Sequence, residues 1–268
     1  MSAINSLANI RIVLIQTSHP GNIGSAARAM KTMGLSTLYL VNPKSFPDAQ
    51  ATILSSNASD VLDNAVVVES LQAALVGCEW VVGSSARDAR SIKWDVLDAR
   101  TCGEQAVKKA RSAKIALVFG RENSGITNAE LALCHSLVHI PTNPEYSSLN
   151  LASAVQLLGY ECRVASLSSA LEQETSALEQ EPSAEQEPSA SGQEPSKKTD
   201  AEVVTVDAME SYYQHLEAVM IEVGFLDPKQ PKHLMTRLRR LYGRTEISPS
   251  ELNILRGMLV ALQRVKDN

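Results

Sequence analysis

The strongest constraint on this chain is a unit that recurs through its first 171 residues: a short aliphatic run, a turn rich in glycine, asparagine or serine, then a segment with helical periodicity. The aliphatic runs fall at 10–15, 37–41, 66–68, 80–83, 115–120 and 137–140, and helices are expected at 23–33, 71–75, 104–111, 128–134 and 149–164. Strands joined by helical crossovers pair in parallel, and strands that are aliphatic throughout belong to a sheet covered on both faces. Residues 1–171 are therefore predicted to form an α/β domain with a mostly parallel sheet. Aromatic residues make up only 4% of the chain, so the core must be built from aliphatic side chains.

The pattern stops at residue 172. The next stretch, EQETSALEQEPSAEQEPSASGQEPSKKTD, repeats an approximate EQEPSA unit and carries almost no large apolar groups. Such a segment cannot bury enough surface to offset the entropy of ordering it, which predicts a flexible acidic linker over 172–207. Beyond it, Tyr212, Leu216, Val219 and Val223 recur at three- to four-residue spacing, and further helical segments are expected at 233–242 and 250–265. Pro249 and Glu251 suit a helix start. Residues 208–268 are thus read as a small helical domain.

The net charge of -5 does not exclude a nucleic-acid partner. Residues 172–200 hold 8 acidic and 2 basic side chains, which more than accounts for the negative total. The segment 229–244 holds six Lys or Arg and no acid. On its helix Leu234, Leu238 and Leu241 can turn inward while Arg237, Arg239, Arg240 and Arg244 spread over exposed faces. RNA phosphates are one partner for such a surface, and plain solvation is the alternative. No apolar run reaches the roughly 18 residues of a membrane span, and the first residues lack a secretory pattern. Cys78, Cys102, Cys134 and Cys162 form no CxxC pair, which fits reduced thiols in a cytoplasmic protein. His135 and His139 are four apart at an expected helix-to-strand junction, so no metal site is expected.

Three loops concentrate polar residues after strands. The first, SHPGNIGSAARA at 18–29, puts Gly21 and Gly24 where backbone can approach closely, with Asn22 as a helix cap and Arg28 one or two turns inside. The second, VFGRENSG at 118–125, sets Arg121 beside Glu122 but lacks the lysine and hydroxyl of a phosphate loop. The third, IPTNPEYSSLNLA at 140–152, offers Ser148 as a cap and Asn150 as both donor and acceptor in the next helix. Taken singly, each also reads as an ordinary strand-to-helix joint.

In order and spacing, the three loops together resemble the signature motifs of the SpoU branch of the SPOUT superfamily, the knotted 2'-O-ribose RNA methyltransferases. The resemblance covers roughly residues 8–165. The segments VVGSSAR at 81–87 and NPEYSSLNLA at 143–152 are similar to branch members that act on tRNA, as is ELNILRG at 251–257. The resemblance implies a trefoil-knotted catalytic domain, a homodimer, and an S-adenosylmethionine site formed by Ser84, Ser85, Ala86, Arg87, Phe119, Gly120, Arg121, Glu122, Ile140, Thr142, Asn143, Ser148 and Leu149. Arg28, Asn22, Glu122, Ser148 and Asn150 would carry the chemistry, with Arg28 as general base or phosphate clamp. The implied reaction is 2'-O-methylation of a cytidine or uridine at tRNA nucleotide 32, in the anticodon loop. Another tRNA or ribosomal RNA nucleotide, or an inactive RNA binder, are the alternatives.

Overall fold

The computed structural model of the protein describes residues 3–85, 95–178 and 203–266. After a short 3-10 turn, β1 (Ile10–Ile15) is buried at every position, as its unbroken aliphatic pattern requires. It is joined by β2 (Thr37–Val41), β3 (Val66–Val68), β4 (Cys78–Ser84), β5 (Val96–Asp98), β6 (Lys114–Phe119) and β7 (Ser136–His139). The strand order is β3-β2-β1-β6-β4-β7-β5, and every pairing is parallel.

One face of the sheet is covered by α1 (Pro20–Met33), α5 (Ala99–Lys109) and α7 (Leu151–Leu178), around Ile12, Met30, Leu117 and Leu158. Flanking α1 are α2 (Ala49–Ser55) and α3 (Ser59–Asp63). The other face has less cover from its own domain, namely α4 (Leu71–Leu75) and α6 (Asn128–Leu131). There α8 (Val206–Glu222), the first helix of the C-terminal module, packs Val206 against the cluster around Val13, Leu75 and Val118. With α9 (Leu234–Gly243) and α10 (Pro249–Lys266), α8 builds a separate core of Tyr212, Leu216, Val219, Leu252 and Leu259. Tyr242 meets Tyr212 edge-on, with ring centroids 5.5 Å apart.

All six expected strands are present to within two residues. The elements not expected from sequence are β5, α2 and α3. The contact of α2 with α1 runs over glycines of α1 rather than along an apolar stripe: a Cβ on Gly24 would run into the Ala51 carbonyl group, and one on Gly21 would lie 2.7 Å from the Leu54 Cδ1. Its larger residues Ile53 and Leu54 are exposed. α5 begins five residues earlier than expected, because Asp98 accepts a 2.9 Å hydrogen bond from the Thr101 N–H and caps it. Gly103 within α5 gives α7 room, since a Cβ there would meet the Glu161 carbonyl carbon at 2.7 Å.

Three further expectations change. α7 continues to Leu178, seven residues into the stretch read as linker, and α8 opens at Val206, before the expected boundary at 208. Residues 179–202 lie outside the described residues. Leu241 is 50% exposed rather than packed inward. Arg239 and Arg240 are not spread over an exposed face: Arg239 pairs with Glu210 and covers the Tyr213 ring at 4.5 Å, while Arg240 lies 3.6 Å from Asp95 of the N-terminal domain. Two more contacts join the domains, the Gly77 N–H donating to Asp207 at 2.9 Å and an ion pair between Lys109 and Glu246.

All four cysteines are free and buried. His135 and His139 serve the sheet: the His135 Nδ1 accepts from the Val81 N–H at 3.0 Å, and the His139 Nδ1 lies 3.3 Å from the Ser85 carbonyl oxygen. Enclosure pushes the His135 pKa down to about 4, with the Lys109 charge adding to the effect. Among the described residues no helix is long and apolar enough to cross a membrane.

Candidate active site

Ligands of open parallel sheets bind beyond the carboxyl ends of the strands, where loops from neighbouring strands converge. Here β1, β6, β4 and β7 are neighbours, and the three polar loops follow β1, β6 and β7. Their side chains meet in one hydrogen-bonded network. The Glu122 carboxylate accepts from the Ser18 Oγ at 2.9 Å, the Ser18 N–H at 3.2 Å and the Asn22 Nδ2 at 2.9 Å. The Asn22 Oδ1 in turn accepts from the Asn150 Nδ2 at 3.1 Å. Four residues from three loops, the first of which lies a hundred or more positions before the other two, are thereby held in register.

Two caps differ from expectation. Asn22 lies inside the first turn of α1, whose N-cap is His19 without a side-chain bond, so the Asn22 amide is available to link loops. The cap of α7 is Asn150 rather than Ser148: its Oδ1 accepts from the Ala152 N–H at 2.9 Å. Asn150 therefore uses its acceptor to start a helix and its donor to reach Asn22, a division that suits an amide, whose donor and acceptor are separate atoms.

Arg121 and Glu122 do not pair with each other. Arg121 forms a two-pronged ion pair with Glu130, 2.9 Å on each prong, and donates from Nε to the Gln16 side chain at 2.7 Å. Glu130 also closes a capping box with Thr127 at the start of α6, a T-x-x-E signature readable in the sequence. Glu122 is thus left to Ser18 and Asn22. Burial alone would raise its pKa, but donation from Asn22 and from Ser18 outweighs this and holds the carboxyl below its ordinary value.

Glu122 also lines a cavity of about 350 Å³. Of the expected cofactor residues, Ser84, Ser85, Phe119, Gly120, Arg121, Glu122, Ile140, Thr142, Ser148 and Leu149 line it. Ala86 and Arg87 lie outside the described residues, and Asn143 is exposed and not part of the lining. The sequence reading missed Asn123, Ser124, Gly125, Ile126, Ser147, Leu151 and Ala154 of the wall. Ser18 and Gln16 were missed as well, since nothing in their local pattern distinguishes them from turn residues. Arg28 joins neither cavity nor network. It is exposed on α1 and, among the described residues, its guanidinium makes no hydrogen bond or ion pair. Six residues beyond Asn22 is about 1.7 helical turns, so the two side chains leave different faces.

Glu122 supplies a pH test. Its folded pKa is below its unfolded value, so its contribution is complete above the unfolded pKa, near 4.5, and is lost as pH falls through the folded one. Glu122→Gln keeps the shape but loses the charge that orients both donors. Chemical denaturation should show about 1–2 kcal/mol lost at pH 7, with the difference from wild type shrinking below about pH 4. A pH-independent difference would show that the charge is not what counts.

Compared with known proteins, residues 9–160 match the model of the SpoU rRNA methylase family. The chain belongs to that family. Residues 207–268 match the model of the TrmJ tRNA methyltransferase C-terminal domain. Among curated relatives, the tRNA (cytidine/uridine/adenosine-2'-O-)-methyltransferase TrmJ of Pseudomonas aeruginosa is 51% identical, covering 97% of this chain and 95% of the relative. The tRNA (cytidine/uridine-2'-O-)-methyltransferase TrmJ of Photorhabdus laumondii is 48% identical over 96% of this chain and 98% of its own length. Of solved structures, TrmJ from Zymomonas mobilis (Z. mobilis ZM4) superposes with a TM-score of 0.76 at 27% identity, covering 94% of this chain and 98% of that one. A methylase family protein from Haemophilus influenzae gives 0.61 at 42% identity, covering 97% and 98%. As in the SpoU family generally, this is a methyltransferase on an α/β fold, here carrying a helical C-terminal module.

Proposed function

We propose that the protein is an S-adenosylmethionine-dependent tRNA 2'-O-methyltransferase acting on a cytidine or uridine at nucleotide 32. The observation that carries this reading is the Ser18–Glu122–Asn22–Asn150 network, which meets the cavity at Glu122, in a chain similar over nearly its whole length to tRNA 2'-O-methyltransferases. The cavity fits the cofactor. At about 350 Å³ it is within the usual range for small-ligand sites, and its lining combines the apolar Phe119, Ile126, Ile140 and Leu149 with backbone polar groups around Gly120. Bound there, S-adenosylmethionine supplies an electrophilic methyl group. Ser84, Ser85, Ile140 and Leu149 would hold it.

The chain's own residues then have separable tasks. A ribose 2'-hydroxyl is a weak nucleophile, so most of the rate must come from positioning and from removing its proton. Asn22, Glu122 and Asn150 fix the loops relative to one another. Ser148, on the cavity wall, would touch substrate. Arg28 meets the RNA, and a donor-only guanidinium suits a phosphate better than it suits proton removal.

We further infer a homodimer. Leu157, Tyr160, Val164, Leu167 and Leu171 follow one another along α7 at alternating three- and four-residue steps, and four of them are 41–64% exposed. That spacing is the seam of a helix that packs on another. A trefoil knot is supported by β7, which occupies the sheet position between β4 and β5 that their connection skips. A cytoplasmic location follows from the tRNA substrate.

The deciding experiment is methyl transfer from labelled S-adenosylmethionine to unmodified tRNA, with the product nucleoside mapped by nuclease digestion and mass spectrometry. A 2'-O-methyl group on nucleotide 32 is expected, and the same assay registers adenosine as well as cytidine and uridine. Label at another tRNA position or only in ribosomal RNA would overturn the target. Cofactor binding without transfer to either would overturn the enzyme reading.

A further inference from the structure

We propose that the cleft between the two domains is a second RNA-contact surface, in which Lys108 of the catalytic domain and Arg244 of the helical domain grip one phosphate of the tRNA backbone from opposite walls. This rests on the tRNA reading above and adds a contact that the catalytic loops do not provide. The cleft measures about 630 Å³, larger than the cofactor cavity, and is lined by α5 and the ends of β4 and β6 on one side and by α8, α9 and the turn after α9 on the other.

Its charges have a specific bookkeeping. Three of the four carboxylates on its walls already hold a cation: Glu210 holds Arg239, Glu246 holds Lys109, and Asp95 holds Arg240. The fourth, Glu79, is engaged as well. Lys108 and Arg244 are the cations left over on the cleft wall. Both are exposed, and neither side chain makes a hydrogen bond or ion pair among the described residues. They also sit beside the interdomain pairs, Lys108 within electrostatic reach of Glu246 and Arg244 within reach of Arg240. The paired residues hold the walls together while the two surplus cations stay open to solvent on the cleft lining.

A phosphodiester is the anion that fits. It presents single charges along a flexible strand, is held by lysine as a point charge and by arginine as a fork, and releases counterions when bound. A phosphate bridging the walls would also fix the helical domain on the catalytic domain when tRNA is present. This gives the helical domain a role that Arg239 and Arg240, already engaged within the protein, do not fill.

The test is a double-mutant cycle in the full-length protein, measuring the Kd for unmodified tRNA and for S-adenosylmethionine in parallel. Lys108→Ala and Arg244→Ala should each weaken tRNA binding about five- to tenfold and lower the salt dependence of log Kd by about one unit. The double variant should be no more than about twofold weaker than either single, because a clamp with one jaw missing is already open. S-adenosylmethionine affinity and the unfolding midpoint should not change. Wild-type affinity in Lys108→Ala, or losses that simply multiply in the double variant, would overturn the clamp. Failure of the wild-type protein to bind tRNA would instead overturn the functional reading beneath it.

Discussion

Gly120→Ala is expected to abolish S-adenosylmethionine binding, with a Kd raised at least about 100-fold in a calorimetric titration. The reason is backbone against backbone. A Cβ on Gly120 would lie 2.2 Å from the Gly125 carbonyl carbon and 2.5 Å from both the Gly125 oxygen and the Ile126 nitrogen. None of these atoms belongs to a flexible side chain that could turn away. The turn between them is locked by reciprocal hydrogen bonds, Arg121 N–H to Gly125 O at 3.1 Å and Gly125 N–H to Arg121 O at 2.9 Å, with Gly125 at a φ of +68°. Accommodating the methyl group means opening that turn, which displaces Gly120, Gly125 and Ile126, all of them in the cavity wall. A stability loss of about 1–3 kcal/mol should accompany the loss of binding. Gly257→Ala is the matched control. Nothing lies within 4 Å of its Cβ inside α10, so it should leave binding intact and stabilise by up to about 1 kcal/mol. Wild-type cofactor affinity in Gly120→Ala would mean that this wall does not hold the cofactor.

Gly120 also marks how far the sequence could be read. Its place after an aliphatic strand identifies a tight turn, and the family resemblance adds the cofactor. What local pattern cannot supply is the partner that makes glycine necessary, because that partner is a piece of backbone five residues on. The same holds for the network. Asn22 and Ser148 are both polar residues near helix starts, and a cap is the economical reading of each. Neither caps its helix: Asn150 opens α7, and Asn22 is captured by the Glu122 carboxylate, which arrives from a loop a hundred residues later. The central strands β1, β4 and β6 were legible because burial on both faces leaves an uninterrupted aliphatic run. α2 was not, because its contact with α1 runs through Gly24 and Ala51, residues too small to register as a hydrophobic stripe. In the helical domain, the count of basic residues was correct, but their availability was not. Arg239 and Arg240 carry the same charge as Arg237 and Arg244 in a sequence, and only the fold shows that Glu210 and Asp95 have taken them.

Arg28→Ala should lower kcat/KM for tRNA methylation on the order of 10²- to 10³-fold while leaving the S-adenosylmethionine Kd within about twofold of wild type. The cofactor part of this expectation follows from position. Arg28 is exposed on α1, apart from the cavity lining and from the hydrogen-bonded loops, so its removal opens nothing around the cofactor. The catalytic part follows from its lack of an internal role. An arginine that stabilises a fold holds a carboxylate, as Arg121 holds Glu130, or covers a ring, as Arg239 covers Tyr213. Arg28 does neither among the described residues, so the fold gives no reason for a guanidinium there, and the expected loss of rate rests on the RNA contact proposed above. Arg28→Lys separates its two possible tasks. As a phosphate clamp, lysine restores the charge without the fork, and tRNA affinity should recover to within about tenfold of wild type together with much of the rate. As a proton acceptor at the 2'-hydroxyl, lysine brings a group of different basicity, and the pH–rate profile should move while KM stays put. Full activity in Arg28→Ala would remove the residue from the reaction altogether.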